Sequence, residues 1–326
     1  MATVMTQEFH AYVASALFCD EGAAFALGDG TVRFPDLGRV VEAHQGAVLC
    51  AAVHPSGSGV VTGGDDGRLV WSRPDEGATV LARTGGKWID ALDVSPAVGL
   101  IAFAAGRELA VRDARDPSFE RRFAHERTVA AVAFEPKGRR IAAATYGGVA
   151  LRFARIAEQK PTFLKWAGSH IGLVWAPDAR FLLSAMQEND LHAWRMSDMK
   201  DLRMGGYPAK VRSFAFLSKG ALLATSGAPG AVVWPFLGAG GPIGREAAEV
   251  GYDESALVTR VAAALPGSRL YAGLDDGRVW VADMLRPEKT MLKAAKGAPI
   301  SALAVSADGA RLAWGDEEGQ AAVMAV

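Results

Sequence analysis

The chain has 326 residues, half of them hydrophobic, and its 35 basic and 36 acidic residues give a formal net charge of −1. A chain of this length and composition can bury a large core. Because it lacks the basic excess of proteins that bind nucleic acid through phosphates, we expect no nucleic-acid partner. The two cysteines, Cys19 and Cys50, form neither a disulfide framework nor a CxxC metal motif, and we expect no bound metal or cofactor.

The first apolar segment, residues 11–19, has a composition close to that of a secretory signal. No Lys or Arg precedes it, and Asp20 and Glu21 follow it directly, so we interpret it as a strand rather than a signal. The sequence contains no uninterrupted apolar run of about 18 residues, the length that a membrane helix needs. We therefore expect a soluble, cytoplasmic protein without a membrane partner.

A short pattern recurs eight times along the chain at steps of 35 to 47 residues. Each copy opens with one residue, is followed five positions later by a mostly bulky apolar residue, and in six copies has a glycine nine positions after the opener. The openers are Val13, Val48, Ile89, Val129, His170, Val211, Val258 and Ile300. A period of 40 to 45 residues with several short strands is typical of β-propellers. We call these copies units 1 to 8.

Unit 4 illustrates how one copy predicts four strands. Residues 128–135 read as the first strand, residues 140–145 as the second and residues 149–153 as the third, with turn residues between them. A fourth, outer strand lies between units, for example at residues 161–166. Since no outer strand follows Val326, residues 4–9 are expected to supply it, so that the amino-terminal strand pairs with the carboxy-terminal blade.

The predicted fold is therefore all-β: a single propeller of four-stranded antiparallel blades over residues 1–326. Eight units predict eight blades. Seven is the alternative, because unit 1 is the shortest and could pack irregularly.

Residues 175–184, followed by Leu191-His192-Ala193-Trp194-Arg195, resemble a repeat of the WD-repeat β-propeller family, bacterial type, and the resemblance extends over the whole chain. The Trp-Asp ending is reduced to pairs such as Arg112-Asp113, and the Gly-His dipeptide to Ala43-His44 and Ala124-His125. The resemblance implies that His44 bridges Thr62 and Asp66 in a structural hydrogen-bonded tetrad. It also implies a loose association with zinc-handling GTPases.

No catalytic pattern is evident. The sequence has no GxSxG elbow, no histidine pair at metal-ligand spacing, and a Gly-rich stretch at residues 238–244 that Pro242 interrupts. We expect a protein that is not an enzyme.

Cationic and aromatic residues occur at turn positions of units 3 to 6, on the face where inner strands begin. Hairpin geometry requires no such residues at these positions, and interface centres are rich in aromatics and Arg. Acidic turn residues of units 1, 2, 7 and 8 lie on the same face, and the Asp-Gly pairs among them also have a simple turn explanation. The candidate partner-binding residues are Lys87, Trp88, Arg127, Tyr146, His170, Lys210 and Arg212.

The sequence thus predicts a non-catalytic interaction scaffold, a monomer or weak oligomer, that docks a protein partner with an acidic surface. One alternative is an accessory protein of zinc homeostasis that works with a metal-delivery GTPase. A second is a propeller hydrolase with its site at the channel mouth.

Overall fold

The computed structural model describes residues 4–326, apart from the side chain of Pro287, and its strands all pair antiparallel. In chain order the strands are β1 (Val4–Glu8), β2 (Val13–Cys19), β3 (Gly22–Leu27), β4 (Thr31–Phe34), β5 (Arg39–Glu42), β6 (Val48–Val53), β7 (Val60–Gly64), β8 (Arg68–Arg73), β9 (Gly77–Arg83), β10 (Ala91–Ser95), β11 (Leu100–Ala105), β12 (Glu108–Asp113), β13 (Glu120–Ala124), β14 (Ala131–Phe134), β15 (Arg140–Phe153), β16 (Thr162–Trp175), β17 (Phe181–Met186), β18 (Leu191–Arg195), β19 (Asp201–Met204), β20 (Phe214–Leu217), β21 (Leu222–Thr225), β22 (Ala231–Pro235), β23 (Ala248–Val250), β24 (Val258–Ala262), β25 (Arg269–Leu274), β26 (Val279–Asp283), β27 (Arg286–Lys293), β28 (Ile300–Val305), β29 (Arg311–Asp316) and β30 (Gln320–Ala325). Two 3₁₀ turns occupy Pro35–Leu37 and Ser218–Gly220.

The described strands form seven sheets, which are the blades of the ring. Six of them have four strands and one has six, in the order β14-β15-β16-β17-β18-β19. The prediction of eight four-stranded blades is therefore wrong, because units 4 and 5 share one sheet. The difference does not arise at unit 1, which forms a regular four-stranded sheet, β2-β3-β4-β5.

Units 4 and 5 are joined because strand β16 runs from one unit into the next without a break. Its first part pairs with β15 through Thr162 to Lys165, and its last part pairs with β17 from His170 to Trp175. Strand β15 likewise continues through the glycines that the sequence predicts as a turn, with Gly147 at φ +88° and Gly148 at φ +151°. Positive φ values of this kind favour glycine.

The first strands of the units contact one another around the ring. Strand β2 contacts both β6 and β28, and the Ser301 hydroxyl donates a buried hydrogen bond of 2.8 Å to the carbonyl of Val13. Strand β1 pairs with β30 from Val4 to Glu8 and forms the outer strand of the sheet that contains β28, β29 and β30.

The core lies between neighbouring sheets and is made mainly of side chains from the first three strands of each unit, with single buried residues such as Phe123 from outer strands. Phe134 and Trp175 occupy equivalent positions and are 7% and 6% exposed, while Phe216 is partly buried. The indole N–H of Trp175 donates to the carbonyl of Ala133 at 3.2 Å, which ties two units together. Burial of such large rings supplies much of the folding free energy. No helix among residues 4–326 is long and apolar enough to cross a membrane.

Strand direction defines two faces of the ring. The first strand of each unit runs away from one face and the second returns to it, so the turns between second and third strands lie on that face. The linkers that lead from one unit into the next also lie there. We call it the upper face, and the opposite one, with the turns between first and second strands, the lower face.

Candidate functional site

Four of the predicted partner-binding residues are cations in linkers on the upper face. Lys87 precedes β10, Arg127 precedes β14, and Lys210 and Arg212 precede β20. Lys87, Arg127 and Arg212 are exposed, and Lys210 is partly exposed. None of the four side chains forms an ion pair or hydrogen bond with another residue in the range 4–326. Each charge is therefore available to an external partner.

The two predicted aromatic residues are the most exposed rings on this face. Trp88 is 62% exposed and Tyr146 is 61% exposed. The Arg127 guanidinium lies 6.0 Å from the centre of the Tyr146 ring, within the range of a cation–π contact. Aromatic rings that are exposed in the free protein become buried when a partner covers them, as the aromatic anchors of protein interfaces do.

His170, the remaining predicted residue, has a different environment. It is 1% exposed, its Nδ1 lies 2.7 Å from Oγ of Ser184, and its Nε2 lies 3.1 Å from the carbonyl oxygen of Trp166. The sequence contains a signal for this burial, since the openers of the other units are aliphatic residues with exposures of 0 to 2%. The side chain of His170 therefore supports the fold and is not part of the exposed surface.

The acidic turn residues on the upper face are largely occupied within their own turns. Asp316 is 1% exposed and accepts from the backbone N–H groups of Glu318 and Gln320 at 3.1 and 2.8 Å. Asp276 forms an ion pair with Arg278 at 2.7 Å, and Asp29 accepts from the Thr31 hydroxyl at 2.7 Å. This is the turn chemistry expected of Asp, so these carboxylates contribute less free charge than their number indicates.

Lys210 and Arg212 line a cavity of about 350 Å³ at the border between the cationic and the acidic linkers and turns of the upper face. The same cavity is lined by Arg260 from β24 and by the acidic residues Asp275 and Glu317. Burial lowers the pKa of Arg260, whose Nε donates to the carbonyl of Ser301 at 2.6 Å. This part of the surface therefore carries both signs of charge.

Unit 2 contains the bridge from His44 to Thr62 and Asp66 that the resemblance implies, which confirms that part of the expectation. Nδ1 of His44 lies 2.9 Å from Oδ1 of Asp66, and its Nε2 lies 2.8 Å from Oγ1 of Thr62. These two contacts hold the linker, the second strand and the following turn of unit 2 together. The indole N–H of Trp71 donates to the carbonyl of Ser58 at 2.9 Å and is not part of this group.

The corresponding histidine of unit 4, His125, has no such partner. Its Nε2 is buried without a hydrogen-bond partner in the described part of the chain. Burial, and next the positive charge of Arg152, lower the pKa of His125 to about 4, so the ring is neutral near pH 7. Nε of Arg152 is also buried and unpartnered among the same residues.

Both side chains line a cavity of about 610 Å³ on the upper face, which we call the unit-4 cavity. Arg127 and Tyr146 also line it, together with Phe163 and Lys165 from the first part of β16. The sequence did not predict Arg152, Phe163 or Lys165 as site residues. The available signal was the turn of unit 4, which lacks the Asp-Gly pair found in units 1, 2 and 7.

The alternative involving zinc would require a cluster of metal-ligating side chains. No group of three or more His, Cys, Asp or Glu side chains within residues 4–326 has the geometry to hold a metal ion. Burial raises the pKa of Cys19 and of Cys50 to about 12, so both remain protonated thiols near pH 7.

Seven antiparallel sheets in a closed ring define a β-propeller. Residues 36–71, which contain the bridge from His44 to Thr62 and Asp66, match the family described as "WD domain, G-beta repeat". Together with similar solved structures, this match supports a WD-repeat propeller.

Two solved structures illustrate the likeness of fold. The computationally designed Ika8 protein is 18% identical, with a TM-score of 0.79 and coverage of 98% of each chain. The β-propeller domain of Myceliophteria thermophila Cps50 (Swd1) is 16% identical, with a TM-score of 0.68 and coverage of 86% of this chain and 96% of its own. The comparison with curated proteins found no match.

Proposed function

We propose that this chain is a non-catalytic scaffold that docks a protein partner with an acidic surface on its upper face. The observation that supports it most is the set of four unpaired cations, Lys87, Arg127, Lys210 and Arg212, beside the exposed ring of Trp88. WD-repeat propellers commonly serve as interaction scaffolds. The composition, rich in alanine and arginine, leads us to place this scaffold in a bacterial cytoplasm.

The charge pattern favours an acidic partner. Many cations elsewhere on the surface are neutralised within the chain, for example Arg155 by Asp113 and Arg203 by Asp190. A cation without an internal partner loses no interaction when it binds an external carboxylate. Such cations raise the rate of association with an acidic surface, and salt reduces this effect.

The metal-accessory and hydrolase alternatives lack a specific observation in their favour. Thr62, His44 and Asp66 are bonded in the order of a nucleophile, a base and an orienting group, but Thr62 is 0% exposed and its hydroxyl is out of reach of a substrate.

The test compares two double variants that remove the same charge. Arg127→Ala with Arg212→Ala removes two cations from the upper face, and Lys137→Ala with Arg139→Ala removes two exposed cations from the lower face of unit 4. Each tagged protein is used to capture partners from a lysate of the source cells, at low and at high salt. We expect a captured protein that the lower-face variant retains and the upper-face variant loses. Equal capture by both variants would contradict the proposal.

A further inference from the structure

The unit-4 cavity lies where unit 4 lacks the two side chains that hold His44 in unit 2. By the pairing of first and second strands, the position equivalent to Thr62 is Ala143, which has no hydroxyl. The turn of unit 4, Tyr146-Gly147-Gly148, supplies no carboxylate in place of Asp66. The cavity occupies the space beside His125.

Three cations face this space. Arg127 and Lys165 are exposed, and Arg152 is held from behind, since its Nη1 donates to the carbonyl of Gln159 at 2.9 Å and its guanidinium lies 5.1 Å from the centre of the Phe123 ring. Burial lowers the pKa of Arg152, which reflects the cost of keeping its charge away from water. An anion in the cavity would offset that cost. Glu126 is the one carboxylate among the described residues that line the cavity.

Two aromatic rings complete the walls. Phe163 is 49% exposed and Tyr146 is 61% exposed. The Phe163 ring lies directly on the backbone of the turn, because a Cβ atom at Gly148 would lie 2.8 Å from it. The glycine therefore allows the ring to pack there. With a volume of about 610 Å³ the cavity has the size of small-molecule sites, which lie between about 300 and 1,000 Å³.

We propose that the unit-4 cavity is a binding site for a small aromatic anion, a flat ring that carries a phosphate or carboxylate group. The anionic group pairs with Arg127, Arg152 and Lys165, and the ring packs on Tyr146 and Phe163. Guanidinium groups bind both kinds of anion through paired N–H donors. The neutral ring of His125 donates or accepts a hydrogen bond through the Nε2 atom that has no partner within residues 4–326.

The test measures binding of three probes to the full chain by calorimetry: phenyl phosphate, benzoate and inorganic phosphate. We expect phenyl phosphate or benzoate to bind at least about tenfold more tightly than inorganic phosphate, a difference of about 1.4 kcal/mol that reports the ring contacts. The better of phenyl phosphate and benzoate identifies the anionic group. Binding of none of the three at millimolar concentration, or equal binding of inorganic phosphate, overturns the proposal.

Two variants locate the site, and a third is the control. Lys165→Gln and Phe163→Leu should each weaken binding of the ring-bearing probe by about tenfold, while Lys137→Gln, a cation of the same unit on the lower face, should leave it unchanged. Circular dichroism verifies folding, and if Phe163→Leu fails to fold, Lys165→Gln decides alone. Unchanged binding in Lys165→Gln overturns the proposal. Neither Lys165 nor Phe163 belongs to the docking residues proposed above, so failure here leaves partner capture as a separate question.

Discussion

Nδ1 of His44 lies 2.9 Å from Oδ1 of Asp66, and this contact links the linker before β6 to the turn after β7. The side chain of His44 is fully buried and that of Asp66 is 11% exposed, so the pair is largely shielded from water. The same carboxylate accepts from the backbone N–H groups of Gln45 and Arg68 at 3.1 and 3.0 Å. One side chain thereby fixes two segments of unit 2.

We expect Asp66→Ala to reduce the free energy of unfolding by about 1–3 kcal/mol, because it leaves buried donors without an acceptor. Burial opposes ionisation of Asp66, but the hydrogen bonds from His44, Gln45 and Arg68 outweigh it and lower its pKa. The stabilisation is therefore present above the ordinary pKa and is lost as the pH falls through the lowered one. Urea denaturation at pH 7 and pH 3 measures this. Asp75→Ala, at an exposed position of the same unit, is the control, and an equal loss in both variants would contradict the account.

Asp93 has the opposite pH dependence. Burial raises its pKa to about 6, although its carboxylate accepts from the backbone N–H of Phe134 at 2.6 Å. The folded chain holds this proton more tightly than the unfolded chain, so the contribution of Asp93 to stability is present at low pH and is lost as the pH rises from about 4 to about 6. Asp93→Asn keeps an acceptor and removes the ionisation. The difference in melting temperature between variant and parent should shift in favour of the variant from pH 4 to pH 7, and a constant difference would refute the assignment.

Phe134 tests the register of the inner strands. It is 7% exposed and packs in the cluster that joins units 3 and 4, so Phe134→Ala should cost about 3–5 kcal/mol in chemical denaturation. Phe163→Ala is the matched control, since that ring is 49% exposed and should cost less than about 1 kcal/mol. Similar losses for the two variants would show that the register is wrong.

Strand β1 should contribute to stability through its pairing with β30. Five residues, Val4 to Glu8, pair in register from Met324 to Gln320, and the ring of Phe9 lies 5.4 Å from that of Phe25. Deleting residues 1–9 exposes the ladder groups of β30 and removes the Phe9 contact. We expect the melting temperature to fall by several degrees in differential scanning calorimetry. A melt that coincides with that of the full chain would mean that β1 adds nothing.

The repeat predicted most of the strands because each inner strand opens with a residue that must be buried. Val129, Val211 and Val258 obey this rule, and so does His170, whose burial follows its position in the repeat and not its polarity. The junction of units 4 and 5 could not be read from the sequence. The segment from Trp166 to His170 contains one glycine, Gly168, at which the backbone could turn or continue. Whether it continues as a strand depends on its pairing with β17.

The sequence predicts surface residues only at turn positions where hairpin geometry does not require the side chain that is present. Trp88 has no role in its linker, and its exposure agrees with that reasoning. The unit-4 cavity depends instead on a missing residue, the carboxylate that Asp66 supplies in unit 2. The sequence shows that the turn of unit 4 lacks this carboxylate, but it does not show the cavity, because Arg152 and Lys165 come from separate strands.

The most direct test of the docking proposal is a photo-crosslinking amino acid placed at position 88 and, as a control, at position 137 on the lower face. After irradiation in the source cells, mass spectrometry identifies the crosslinked peptides. We expect position 88 to yield a protein whose crosslinked region is rich in Asp and Glu, and position 137 to yield no such product. Crosslinks to that partner from position 137 alone would place the docking surface on the lower face and contradict the account.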